Sequence, residues 1–412
     1  MTTANEEILL KLFKEEYSKM TAVICRHFGV QNIQFAEDIV SDTFLKATEL
    51  WHKNGLPPNP TAWLYVVAQN KVKDLLKHDK VKSRQIIEQE NTQQLSLDVP
   101  FSFEAYHFED SQLLMFFVLC SPMNSIESQI CLALQILCGF TLQEIANAFM
   151  CPVETIKKRL VRAKKKLRDD NFQIKILNTN ELSQRLPSVL KTLYLFYNEG
   201  YFSKTNENII RKELCGEAMR LTHMLLNNTS TNTSLTKALM SLMCFQSSRF
   251  DARTSTDGVS VLFDQQNQGD WNQELIHLGN YYLIEACSIF QTSTYHLEAS
   301  IAYWHTQTNH PNKWSNILQL YNQLLIMEYT PFTALNRTFA FAKVYGYESA
   351  IIEANKLKLE QNIYFHSLLG YLYSKHDIYT SIYHYEKAIS LSRSSIEKST
   401  LLAELNKLKD KL

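Results

Sequence analysis

The chain has 412 residues, 45% of them hydrophobic and 20% charged, which is enough apolar material for two or three buried cores. Lys plus Arg and Asp plus Glu each number 42, so the net charge is zero and any nucleic-acid surface has to be a face rather than a domain average. Ten Gly and nine Pro exclude collagen-like and mucin-like chains, and no long apolar run marks a membrane span.

The opening, MTTANEEILLKLFKEEY, is interrupted by acids and is not expected to act as a signal peptide. None of the eight cysteines forms a CxxC pair, which predicts reduced, mostly buried thiols in a cytoplasmic protein and no metal or other cofactor. Apolar spacing is helical almost throughout, so the expected fold class is all-α. A small helical domain is predicted over residues 1–80, a Gln-, Glu- and Ser-rich tether over 81–110, a second small domain over 111–175 and a large helical region over 182–412. The basic residues divide evenly across that last boundary.

In the first domain, QFAEDIVSDTFLKATELW (34–51) places Ala36, Val40, Phe44, Ala47 and Trp51 on one helical face. Glu37, Asp38, Ser41 and Asp42 fall opposite, as a docking patch for a basic partner or as a solvated acidic face. The next segment, NPTAWLYVVAQNKVKDLLK (59–77), opens with Asn59 as a cap and Pro60 at the first helical position. Leu64, Ala68, Val72 and Leu75 form its predicted buried stripe. Residues 71–84 carry a net charge of +4, and aromatic side chains beside such charge suit unpaired DNA, where bases stack and phosphates are attracted. Trp63 and Tyr65 fit that reading or a core position equally.

The second domain holds TLQEIANAFMCPVETIKKRLVRAKKKLRD (141–169). Thr141 and Glu144 have capping-box spacing, and Pro152 restarts the chain after a turn. Ile156, Leu160, Ala163 and Leu167 recur at helical intervals and should bury together against an upstream helix bearing Ile126, Ile130, Ala133, Leu134 and Leu137. The remaining faces are basic, with a net charge of +6 over 153–169. Two short helices around a tight turn, the second basic, describe a helix-turn-helix; a solvated cationic helix is the plainer alternative.

Together these segments resemble a bacterial RNA polymerase sigma factor of the extracytoplasmic-function type, in the sigma-70 family. AEDIVSDTFLKA (36–47) and NPTAWLYVVAQNKVKDLLK resemble its region 2, and 141–169 resembles its region 4. The resemblance implies that Glu37, Asp38, Ser41 and Asp42 bind the clamp helices of the largest polymerase subunit, with the flap as a further polymerase contact. It implies that Trp63, Asn70, Lys71, Lys73 and Lys77 hold the −10 element, and that Thr155, Lys157, Lys158, Arg159 and Arg162 lie at the −35 element. The implied partners are core polymerase and promoter DNA, with no enzymatic activity, no membrane insertion and a cytoplasmic, nucleoid-associated location. Ser41 stands where the motif often has Gln, and Lys77 where Arg is usual, which removes a planar fork.

LYLFYNEGY (193–201), LCGEAMRL (214–221) and the surroundings of Trp271 resemble the C-terminal extension of a long sigma-factor subgroup. Within 362–395, Leu369, Gly370 and Tyr373, then Ser381, Tyr385 and Ala388, resemble a tetratricopeptide helix pair. An earlier pair is expected at 333–359, with Gly346 and Ala350 near its crossing. Stacked pairs of this kind suit a protein partner. Two other functions fit parts of the chain: a helix-turn-helix regulator that acts without polymerase, and a tetratricopeptide-like scaffold.

Overall fold

The computed structural model describes residues 3–29, 32–86, 102–103, 108–149, 151–169, 179–201, 212–253, 261, 263–289, 291–392 and 395–410. It is all-α among these residues, with short 3-10 turns at Asp251–Arg253, Phe263–Gln265 and Gln268–Asp270. The chain divides into two compact units, Met1–Leu193 and Tyr194–Leu412.

The first unit begins with α1 (Thr3–Phe28), α2 (Ile33–Asn54) and α3 (Pro60–Ile86). Gly29 and Gly55 end the first two helices at φ of 88° and 78°, where a residue with a Cβ would be strained. Asn59 caps α3 by accepting from the Ala62 N–H at 3.0 Å. Ala36, Val40, Phe44, Ala47 and Trp51 are all buried, as their spacing predicts. Leu64, Ala68 and Val72 are buried too, but Leu75 is 44% exposed. α3 continues past the expected domain end at residue 80, and most of the 81–110 tether lies outside the described residues.

α4 (Phe108–Leu119) is apolar on every side from Leu113 onward and packs along α1. Leu113 to Cys120 are all buried, as an all-round hydrophobic helix requires. Its two buried polar side chains are satisfied: Gln112 donates to Ser18 at 2.5 Å, and Ser111 accepts from Arg26 at 3.2 Å. α5 (Ile126–Ile136), α6 (Leu142–Phe149) and α7 (Val153–Asp169) follow. The capping box forms: the Thr141 N–H donates to Glu144 at 2.7 Å, and the Glu144 N–H donates to Thr141 at 3.2 Å. Ile156, Leu160, Ala163 and Leu167 are buried, and each of the larger three contributes roughly 1.5–3 kcal/mol. Gln129 ties the unit together: it donates to the Ser121 and Asn124 carbonyls and accepts from Thr192 on α8 (Thr179–Tyr201). The division between units therefore falls inside α8, not ahead of residue 182.

The second unit holds α9 (Lys212–Asn227), α10 (Ser234–Ser247), α11 (Gln273–Cys287), α12 (Thr294–Thr306), α13 (Lys313–Met327) and α14 (Pro331–Tyr345). It continues with α15 (Tyr347–Asn355), α16 (Ile363–Tyr373), α17 (Ile378–Leu391) and α18 (Ser395–Lys409). α10 is its centre, with Leu239, Met243, Cys244 and Phe245 buried against α9, α11 and α12. Beyond it the core passes from helix to helix, through successive clusters around Ile317, Leu369 and Leu405. Asn272, Ser293, Thr330, Asn362 and Asp377 cap the helices they precede.

α16 and α17 cross closely. The Ser381 hydroxyl donates to the Gly370 carbonyl at 2.7 Å, and Ser381, Tyr385 and Ala388 are buried. Gly346 is not at a crossing: it separates α14 from α15 at a φ of 88°, while Ala350 is fully buried. All eight cysteines are free, six of them buried, Cys151 partly so and Cys287 exposed.

A Cβ added at Gly370 would stand 2.9 Å from the Tyr385 ring. Gly370→Ala is therefore expected to destabilise the second unit by about 1–3 kcal/mol in denaturant titration. His366 Nε2 meets the Glu360 carbonyl at 2.9 Å, an oxygen that can only accept, and His366 Nδ1 lies 2.9 Å from His384 Nδ1. Burial and the neighbouring His366 push His384 down from 6.5 to about 4. Between those values the unfolded chain binds a proton that the folded chain refuses, so acidification through this window costs stability. The melting temperature of His384→Gln should fall less than that of the unaltered chain between pH 6.5 and 5.

Candidate nucleic-acid and core-binding surface

α7 presents its cations in two groups. Thr155, Lys158, Arg162 and Lys165 are exposed on the face turned away from the buried stripe. Lys157, also exposed, lies on the flank toward α2 and lines a groove with Arg168. The groove measures about 260 Å³ and has Ile33, Leu142, Leu160 and Val161 among its walls. Arg159 is held differently from its neighbours. Its guanidinium lies 5.6 Å from the Phe149 ring centre, and Nη1 donates to Cys131 Sγ at 3.8 Å. Burial pushes the Cys131 thiol up to about 11, with Arg159 opposing the shift. Of the five residues assigned to the −35 element, four are thus exposed and Arg159 is half-buried against α5 and α6.

On α2, Asp38, Ser41 and Asp42 are exposed, but Glu37 is buried. The Glu37 carboxylate accepts from Lys164 Nζ at 2.6 and 2.8 Å, and the two side chains are only 7% and 12% exposed. Burial drives the Glu37 carboxyl up from its usual range, and the Lys164 ammonium pulls it back. Tyr17 and Cys25 feel the same carboxylate; their own burial, then Glu37, raise both. Asp38 accepts from Gln34 at 3.1 Å, and Asp42 pairs with Lys71 at 3.2 Å. This last pair is largely solvated and contributes at most about 1 kcal/mol.

On α3, Asn70 and Lys73 are exposed and Lys71 is half-buried beside Asp42. Trp63 is half-buried, its ring centre 5.4 Å from that of Trp51 in an edge-on contact. Tyr65 takes the core role: its hydroxyl donates to Glu16 at 2.6 Å and its ring meets Phe103. Lys77 lies on α3, and its side chain is outside the described residues.

Two kinds of residue leave little distinguishing mark in the sequence. Lys164 is one of the cations behind the net charge of +6 over 153–169, and nothing local separates it from Lys165. Leu45, Val66 and Val161 are 59%, 56% and 59% exposed, one on each of α2, α3 and α7. Their position off the buried stripes was the available signal.

Comparison with known proteins bears on the surfaces of α2 and α3. Residues 12–81, which cover most of α1, all of α2 and most of α3, match the family Sigma-70 region 2. A sigma-70 region-2-like domain is present in this chain. Residues 185–287 match a family of unknown function (DUF6596). An uncharacterized protein of Rhizobium meliloti (strain 1021) is 27% identical over 355 residues, which cover 84% of this chain and 83% of that protein. No solved structure matches.

Proteins of the region-2 family are non-catalytic, and the domain implies contact with core polymerase and DNA. Among the described residues no group of three or more His, Cys, Asp or Glu could hold a metal ion. No helix among them is long and apolar enough to cross a membrane.

Proposed function

We propose that the chain is a sigma factor of the extracytoplasmic-function type that directs core polymerase to promoters. The observation that carries this reading is the region-2-like domain at residues 12–81, followed in the same unit by a capped helix, a turn and a basic helix. In this reading Asp38, Ser41 and Asp42, with Glu37, engage the clamp helices. Trp63, Asn70, Lys71, Lys73 and Lys77 hold the −10 element. Thr155, Lys157, Lys158 and Arg162 meet the −35 element in the major groove, which admits an α-helix. Arg159 braces α7 on Phe149 and Cys131. Unstacking promoter bases costs a few kcal/mol each, offset by stacking and phosphate contacts along α3. The second unit belongs to the long subgroup's extension, and its stacked pairs give a surface for a protein partner. The support for that part is the close packing of Gly370, Ser381, Tyr385 and Ala388 where the tetratricopeptide-like pattern predicts a crossing.

Reconstituted transcription with purified bacterial core polymerase over fragmented genomic DNA tests the reading. Discrete starts that share −35 and −10 elements support it; failure to bind core polymerase overturns it. Lys158→Ala or Arg162→Ala should lower −35-dependent initiation roughly ten-fold and reduce the salt slope of DNA binding by about one, with core binding retained. Asp38→Ala combined with Asp42→Ala should weaken core binding and leave binding of α7 to duplex DNA intact. Loss of the same step in both sets would refute this division of labour.

A further inference from the structure

Arg249 follows α10 in the second unit, among the residues that match the family of unknown function. Neither Asp251 nor Glu298 pairs with it. Asp251 is 71% exposed and pairs with Lys212. Glu298, which acts together with Arg249 on Tyr321, accepts from the Tyr194 hydroxyl at 3.1 Å. Burial pushes the Glu298 carboxyl up to about 7, so near neutrality it is only partly ionised. The Arg249 guanidinium lies instead 5.3 Å from the centre of the Phe263 ring and donates to the Tyr201 hydroxyl at 3.4 Å. Its Nε–H is buried without an acceptor.

The same phenyl ring gathers three further polar side chains. Lys313 Nζ lies 5.0 Å from its centre, the His305 ring 4.8 Å and the Trp271 ring 6.2 Å. His305 Nδ1 and the Trp271 indole N–H are also buried without partners. Lys313 donates to the His305 carbonyl at 3.1 Å and is only 7% exposed. Burial, then the Arg249 and Lys313 charges, hold His305 well below its usual value, so its ring is uncharged. Buried donors without acceptors are costly and uncommon, and each one calls for a group that completes it. A water molecule completes a hydrogen bond but brings no charge to a guanidinium that lacks a counter-ion; an oxyanion does both.

We propose that the second unit binds a small oxyanion at Arg249, Trp271, His305 and Lys313, a phosphate or carboxylate group carried by a free metabolite. Arg249 Nε–H and the Trp271 indole N–H donate to its oxygens. Lys313 supplies charge from the other segment that reaches Phe263, and His305 donates from Nδ1 in the tautomer that carries a proton there. Five separate stretches of chain meet at the site, so an anion there ties α10, α11, α12 and α13 together. The inference goes beyond the sigma-factor reading and does not depend on it.

Isothermal titration calorimetry of the full-length chain with inorganic phosphate and with succinate, at ionic strength matched by sodium chloride, tests this. Saturable binding of either anion, with a rise in melting temperature, is expected, and the tighter of the two gives the class of the ligand. Arg249→Gln should weaken binding about ten-fold through loss of charge-assisted hydrogen bonds, and Arg249→Lys should weaken it less. Lys212→Gln removes an exposed cation outside the cluster and should leave the affinity unchanged. If Arg249→Gln does not fold, the unaltered chain still decides the matter. In nitrogen-15 tryptophan spectra the indole N–H signal that Trp271→Phe removes should move downfield as the anion is added. No saturable binding of either anion, an equal loss of affinity in Lys212→Gln, or an unmoved Trp271 signal overturns the site. Binding of a polyglutamate peptide when neither small anion binds overturns it too, in favour of a protein partner.

Discussion

A carboxylate out of water must be neutralised, protonated or paired, and Glu37 is paired. Its partner comes from a helix more than a hundred residues away in sequence. Removing one member of such a pair typically costs about 3–5 kcal/mol, because the other charge stays buried. The contact therefore fixes the rotation of α7 in the first unit. With Lys164 turned inward, Lys158, Arg162 and Lys165 are left outward, and Arg159 falls over Phe149. One ion pair thus sorts the cations of a helix into those that hold the fold and those that are available to a partner.

Elsewhere in the first unit the buried polar groups are also partnered. From Leu113 onward α4 has no polar face and must be covered on all sides. It is covered by α1, with Gln112 and Ser111 bonded to Ser18 and Arg26. Gln129 then binds α5 to the turn before it and to α8. Buried amides of this kind specify one arrangement, since any shift leaves several polar groups without partners.

The second unit obeys a different economy. Its clusters succeed one another along the chain, and each draws mainly on neighbouring helices. Stability in such a stack is close to a sum of local interfaces, so the surface can be long without a single large core. The requirement falls instead on close crossings and on capped, short connections. Gly370 against Tyr385 and the caps at Asn362 and Asp377 meet it.

Much of this was legible in residue order alone. The capping box of Thr141 and Glu144, the Asn59 cap, the stripe of α7 and the stripe of α2 all depend on groups within one or two helical turns. Their periodicity and hydrogen bonds are set by neighbours in sequence. The region-2-like domain was readable for the same reason, because its motifs occupy single helices. Tertiary structure decided what those helices do with their polar faces. Leu75 is 44% exposed although its spacing continues the buried stripe of α3. Tyr65 turns to Glu16, Arg159 to Cys131 and Glu37 to Lys164, each across a separation that no local pattern encodes. Residue order alone determines which residues are charged and on which helix; only the packing of one helix on another decides which charges meet water.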